Sequence, residues 1–345
     1  MSTATVSQLT RSAMKHAAPE PDTTANVKPL ATIDGFTLLR KEFAPIPFIF
    51  DDLLYSGLTL AAGRPKVGKS WLALQLGIDA ALGRPGLAKF GNCKPRGVLY
   101  VALEEGERRT NNRLQKFIDR GALDAMLSGN IQFAYKLLPL MGGGIGELDA
   151  TMKLHNCQLV IIDTLIKAMG GRSRDKNSDP MQEDYRVVEA LQNLAQKHDA
   201  AILVIAHTRK MGADYSLDKV AGTTGLTAGA DAVWVLDRGL KSTTLSVQGR
   251  EMADAEYAVR FDDDPAAFGW TVTGTGAEAR TTDARTEILE LLGESAEPQE
   301  PIEIAKDLGK SRPAVRMLLQ KLRKEGHVVK TGKGYTLSKG GNFPL

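Results

Sequence analysis

Eight consecutive residues, Gly63-Arg64-Pro65-Lys66-Val67-Gly68-Lys69-Ser70, carry the strongest chemical signal in the chain, because they satisfy G-x-x-x-x-G-K-[ST] at every required position. The glycines let the backbone turn so that successive N–H groups converge on an anion, and the positive end of a following helix adds to that field. Lys69 would reach the β- and γ-phosphates of a nucleotide as a point charge, and the Ser70 hydroxyl would be a ligand of the magnesium ion that bridges them. Such a loop needs a strand before it and a helix after it. Gly57 to Ala62 reads as a short buried strand and Trp71 to Ile78 as a packed helix, so that context is present. The expectation is a site for ATP and Mg2+ formed by Gly63 to Ser70 together with Trp71.

Three further residues stand where strands end. Val98 to Leu103 reads as a buried strand closed by Glu104 and Glu105. A carboxylate at the C-terminal end of a strand lies on the edge where open α/β sheets bind ligands. If this strand neighbours the nucleotide strand, Glu104 can orient or deprotonate the water that attacks the γ-phosphate. Both acids read equally well as residues that start the next helix, where negative charge is favourable. Leu159-Val160-Ile161-Ile162 closed by Asp163 has the form of a Walker B strand, with Asp163 opposite Ser70 and holding magnesium through water. Ala201 to Ala206 is another core strand, and His207 after it could sense the γ-phosphate or be an ordinary structural histidine.

The remaining chain must position these groups. With 345 residues, 43% hydrophobic and 25% charged, it is long enough for a nucleotide-binding core and one small further domain. A net charge of +3 is too small to imply nucleic-acid binding, which has to be argued from local patches. Cys93 and Cys157 have no Cys or His at ligand spacing and read as reduced thiols of a cytoplasmic protein. No apolar run approaches a membrane span, and the N-terminus lacks the apolar centre of a signal peptide. Residues 1–31 read as a mobile tail, and Phe36 to Ile49 as a segment that packs on the core or clamps a neighbouring subunit. The helix from Glu107 carries Arg108, Arg109, Arg113, Lys116 and Arg120, a solvated face or a subunit contact. Glu183 to His198 is an amphipathic helix with Val187, Val188, Leu191 and Leu194 on one stripe.

After the core, residues 274–282 read as a linker, and three helices follow, with a Gly-tipped hairpin around Gly332. That order describes a winged helix-turn-helix. Its third helix carries Arg312, Arg316, Arg323 and Lys324, and Lys333 sits on the wing, a basic edge suited to phosphates and a major groove. Small winged helices also serve as protein-docking modules. The expected division is a tail (1–31), an α/β P-loop core with a mostly parallel sheet (32–273), a linker (274–282) and a winged helix (283–345).

The set Gly63 to Ser70, Glu104, Asp163 and His207, each after its strand, resembles the RecA-like ATPases of plasmids and phages. Among these it is most similar to the RepA-type hexameric replicative helicases, relatives of the DnaB-type rings. The resemblance runs from about Phe36 to Val272 and includes Pro47 to Leu54, Ala221 to Leu226, Ala230 to Trp234 and Gln248 to Arg250. It implies that Glu104 is the catalytic carboxylate, Asp163 the magnesium-site acid and His207 the γ-phosphate sensor. It also implies a DNA-contacting loop from Thr208 to Thr224 with Arg209, Lys210 and Lys219, and an arginine finger, Arg250, projecting into the next subunit of a homo-oligomeric ring. Arg238 competes for that role, and either can be an ordinary surface arginine. The winged helix departs from the ring helicases. The function expected is an ATP-driven helicase or translocase in mobile-element replication. The alternatives are an ATP-regulated DNA-binding regulator or helicase loader, and a recombination mediator.

Overall fold

The computed structural model describes residues 30–91, 94–118, 129–171, 180–207 and 224–338. It falls into two units, Met1–Pro45 and Ile46–Leu345. The described part of the first holds α1 (Gly35–Leu39), capped by the Asp34 carboxylate, which accepts from the backbone N–H groups of Phe36 and Thr37 at 3.1 and 3.0 Å. Phe36, Leu39 and Phe43 are exposed rather than packed. The tail expected over 1–31 lies almost entirely outside the described residues.

In the second unit the elements run β1 (Phe48–Phe50), β2 (Leu54–Tyr55), β3 (Gly57–Gly63), α2 (Lys69–Leu82), β4 (Gly97–Ala102), α3 (Glu107–Ile118), β5 (Ile131–Ala134), α4 (Gly144–His155), β6 (Cys157–Asp163), α5 (Leu165–Ala168), α6 (Pro180–Lys197) and β7 (Ala201–His207). Next come α7 (Thr224–Gly229), β8 (Ala232–Arg238), β9 (Thr243–Gly249), β10 (Met252–Asp262) and β11 (Gly269–Thr275). The chain then continues as α8 (Gly276–Glu294), α9 (Pro301–Asp307), α10 (Arg312–Lys324), β12 (Val328–Thr331) and β13 (Gly334–Leu337). Among the described residues the large sheet has nine strands, in the order β11-β10-β9-β8-β3-β7-β6-β4-β5. It is parallel from β8 to β5 and antiparallel from β8 out to β11. This is the mixed α/β fold with a mostly parallel sheet that the motifs called for.

Alternation within the strands explains why the sheet lies between two helical layers. Ala61, Tyr100, Ile161, Leu203 and Trp234 join Leu72 and Leu76 of α2 in one core. Their neighbours Leu60, Leu99, Val160, Ile202 and Val233 point the other way, to Leu148 of α4 and to Val187, Val188, Leu191 and Leu194 of α6. Strands buried on both faces read as unbroken apolar runs, which is why they were visible in the sequence.

One condition is not met and one expectation needs correction. The strand preceding Glu104 is not a neighbour of the nucleotide strand, because β7 and β6 lie between β3 and β4. Residues 274–282 are not a linker either: they finish β11 and begin α8. Thr275 caps that helix, with its hydroxyl accepting from the Glu278 N–H while the Glu278 carboxylate accepts from the Thr275 N–H, and this capping box outweighs the two nearby glycines. Helix α8 therefore runs unbroken from the core into the winged helix. There Ile288, Leu292, Ile304, Val315, Leu319, Leu322, Val328 and Tyr335 form a separate small core. The three helices and the β12–β13 hairpin match the expected winged helix-turn-helix, with Ser311 as the cap of α10.

Candidate active site

Parallel register brings the expected chemical residues to one edge of the sheet. Gly63 at the end of β3 pairs with His207 at the end of β7, and Ala102 at the end of β4 pairs with Asp163 at the end of β6. The loop after β3 turns through Lys66 at φ +64° and Gly68 at φ +106° before α2 begins at Lys69. Only glycine fits at residue 68, since a Cβ there would lie 2.6 Å from Cζ2 of Trp270. Arg64, Pro65 and Lys66 form the exposed crest, and Val67 is buried beneath it.

Lys69 is the centre of the site. Its ammonium donates to the carbonyls of Gly63 at 2.7 Å and Arg64 at 3.0 Å, and lies 3.5 Å from His207 Nδ1. The other ring nitrogen of His207 is 3.5 Å from Glu104 Oε1, which also accepts from the Thr164 hydroxyl at 2.9 Å. Glu104 thus reaches the site across two intervening strands, and its half-exposed carboxylate can meet water. Asp163 is buried, with one oxygen accepting from the Tyr100 hydroxyl at 3.0 Å and the other without a hydrogen-bond partner among the described residues. Burial raises the Asp163 carboxyl above the ordinary carboxylate range, while the nearby hydroxyls of Ser70 and Tyr100 pull it back. Glu105 belongs to a different contact, an ion pair with Arg113 at 3.0 Å, and Arg113 in turn lies 5.0 Å from the Trp71 ring centre. Arg113 is therefore not part of a simply solvated face.

Burial lowers the Lys69 ammonium to about 8, against the opposing pull of Asp163 and Glu104. Below that pH the lysine is already charged for a phosphate, and above it nucleotide binding has to take up a proton. Nucleotide affinity should be flat below pH about 8 and fall by up to ~10-fold per pH unit above it. Calorimetric titration in buffers of different ionisation enthalpy checks this, and binding at high pH without proton uptake would contradict it. The sign for folding is opposite. Between about 8 and the ordinary lysine value of 10.5 the unfolded chain binds more protons, so the nucleotide-free protein gains stability as pH rises through that window.

Tyr100, Thr164 and Trp270 are site residues that the motif reading did not single out. Thr164 could have been found, because it follows Asp163 directly. Tyr100 lies mid-strand and carries no local signal. Trp270 donates through Nε1 to the Gly68 carbonyl at 3.3 Å, and its own backbone is gripped by Gln75, which donates to its carbonyl at 2.8 Å and accepts from its N–H at 2.6 Å. Trp71 packs in an aromatic cluster with Phe117, Phe261 and Phe268 and also borders the cavity beside the loop.

The expected arginine and lysine contacts distribute differently. Arg209, Lys210 and Lys219 lie outside the described residues. Arg238 borders the cavity beside Lys66. Arg250 sits at the opposite end of the sheet, since Gly249 pairs with Ala232, the first residue of β8. Its guanidinium donates to the Ala228 carbonyl at 3.0 Å and lies 3.5 Å from Asp231. In the winged helix, Arg312, Arg316, Arg323, Lys324 and Lys333 are exposed, and none of them makes an ion pair with the described residues. No helix among the described residues is long and apolar enough to cross a membrane.

Comparison with known families agrees with this geometry. Residues 286–332 match the IclR helix-turn-helix domain, which supports DNA binding by the C-terminal module. Comparison with curated proteins finds no match. The AAA domain model matches residues 23–213, more than half of the chain, and supports an ATPase. The loop around Lys69 and the acids that face it lie within that match, and the chain belongs to the AAA domain family.

Proposed function

We propose that this protein is a ring-forming, ATP-hydrolysing motor that acts on DNA, a helicase or translocase in the replication of a mobile element, as the resemblance to RepA-type rings implies. The observation that carries this reading is the convergence of Glu104, Asp163 and His207 on Lys69 along one sheet edge. Lys69 exchanges the loop carbonyls for the β- and γ-phosphates. Glu104, oriented by Thr164 and His207, takes the proton of the attacking water. His207 spans Lys69 and Glu104 and would register whether a γ-phosphate is present.

The residues around Ser70 suit a hard divalent cation. Asp163 has a buried oxygen without a partner among the described residues, and the Ser70 hydroxyl is near enough to lower the same carboxyl, so both donors are oxygen. Ser70 directly and Asp163 through water would hold Mg2+, which supplies charge that offsets the negative charge developing on the phosphoryl oxygens. No group of three or more His, Cys, Asp or Glu among the described residues could hold a metal alone, so the nucleotide completes the shell.

A strand-displacement assay with a forked substrate tests the reading. Wild type is expected to unwind with ATP and Lys69→Ala to do neither hydrolysis nor unwinding. DNA-stimulated hydrolysis without unwinding would overturn the helicase statement. It would favour a second reading, an ATP-regulated DNA-binding regulator or loader, which the unpaired basic residues of α10 support.

A further inference from the structure

A cavity of about 940 Å³ opens beside the phosphate loop, bordered by Lys66, Trp71, Arg238 and Trp270. Its position relative to the catalytic groups has a direction. Glu104 and His207 belong to the β7–β6–β4 side of β3, while the cavity lies on the β8–β11 side. A nucleotide whose γ-phosphate faces Glu104 across Lys69 must extend its sugar and base the other way. The volume falls in the ~300–1,000 Å³ range of small-molecule pockets, and the walls combine two indole rings, which can stack on a base, with charged side chains of both signs that can meet a sugar and its phosphates.

The far wall of this cavity includes the first turns of the helix that leads into the winged-helix module. Glu278 and Thr282 of α8 border it together with residues of the β8–β9 turn. The same helix is pinned at two further points. The Asp283 carboxylate accepts from the backbone N–H groups of Lys241 and Ser242 at 2.9 and 3.0 Å and from the Ser242 hydroxyl at 2.7 Å. That turn follows Arg238 directly, and Gly239 leaves room for the carboxylate, because a Cβ there would collide with it. Arg280 forms an ion pair with Glu256 of β10. Farther along, Ile288 and Leu292 of the same helix are central to the winged-helix core. A helix of 19 residues spans ~28 Å, so one rod has its first turns in the cavity wall and its last turns in the DNA-binding module.

We propose that α8 reads the nucleoside part of a bound nucleotide, so that occupancy of the cavity and duplex binding by the winged helix are thermodynamically coupled. This rests on the nucleotide reading above and adds to it a regulatory path that bypasses the ring channel. Coupling between sites is reciprocal: the factor by which nucleotide changes duplex affinity equals the factor by which duplex changes nucleotide affinity.

The test uses the full-length chain, a short DNA duplex and a non-hydrolysable ATP analogue, with each affinity measured by fluorescence. In wild type the saturating analogue is expected to change the duplex Kd by at least ~5-fold, and saturating duplex to change the analogue Kd by the same factor. In Asp283→Ala both ligands still bind singly, and the factor falls below ~2. Hydrogen exchange in wild type gives a reading that no variant can confound, with protection of the first turns of α8 changing when the analogue binds. Equal duplex affinity with and without analogue, a full factor retained in Asp283→Ala, unchanged exchange in α8, or no duplex binding in either state each overturns the proposal. Failure of the analogue to bind wild type at all overturns the nucleotide reading itself, and the analogue titration alone reveals that outcome.

Discussion

Glu104→Gln is expected to lower ATP turnover by ~10²–10⁴-fold while nucleotide still binds. The substitution keeps the length of the side chain and its ability to accept from the Thr164 hydroxyl, and it removes only the capacity to take a proton. Nothing in the loop carbonyls or the Lys69 contacts depends on it, so affinity for nucleotide should change by less than ~3-fold. Glu105→Gln is the matched comparison. That carboxylate is already committed to Arg113 at 3.0 Å, and burial raises it above the ordinary range, so its loss should affect packing around Trp71 more than turnover. Steady-state hydrolysis of the two variants side by side decides the assignment. If Glu105→Gln abolishes turnover and Glu104→Gln does not, the two acids have the opposite roles.

That comparison also marks how far the sequence could be read. The loop from Gly63 to Ser70 declares itself because backbone turn, charge and hydroxyl must all occur within eight residues, and a buried parallel strand ending in Asp163 is a continuous apolar run. Glu104 was chosen over Glu105 from its place at the strand end, but how far it stands from the phosphate loop could not be read, because that depends on which strands lie between β3 and β4, and crossover connections set that order. Trp270 and Tyr100 read as ordinary core aromatics. Trp270 meets Gly68 only because the antiparallel strands β9 to β11 extend the sheet and bring its far edge back over the start of α2. The start of α8 is the opposite case. Its signal, Thr275 followed three residues later by Glu278, is local and was present, and the adjacent glycines masked it.

Arg250→Ala is expected to reduce ATP turnover by ~10³-fold or more in the assembled protein if the residue completes a neighbour's site. Position alone limits what Arg250 can do. Gly249 pairs with Ala232 while the phosphate loop follows Gly63, paired with Leu236, so Arg250 stands ~13 Å away along the strands, at the wrong end of the sheet to reach the γ-phosphate of its own subunit. Any contribution to hydrolysis must therefore be made in trans. Its contacts with Asp231 and the Ala228 carbonyl are exposed, and such pairs contribute only ~0–1 kcal/mol, so the melting temperature should move little. A mixing experiment separates the two roles. Lys69→Ala chains lack a working loop but keep Arg250, and Arg250→Ala chains have the reverse defect. An equal mixture that assembles at random creates, at roughly a quarter of head-to-tail interfaces, a sound loop facing a sound arginine, and activity should return in that proportion. An arginine that merely holds Asp231 predicts no recovery. Recovery with Arg238→Ala in place of Arg250→Ala would transfer the role to Arg238, despite its place at the cavity of its own subunit.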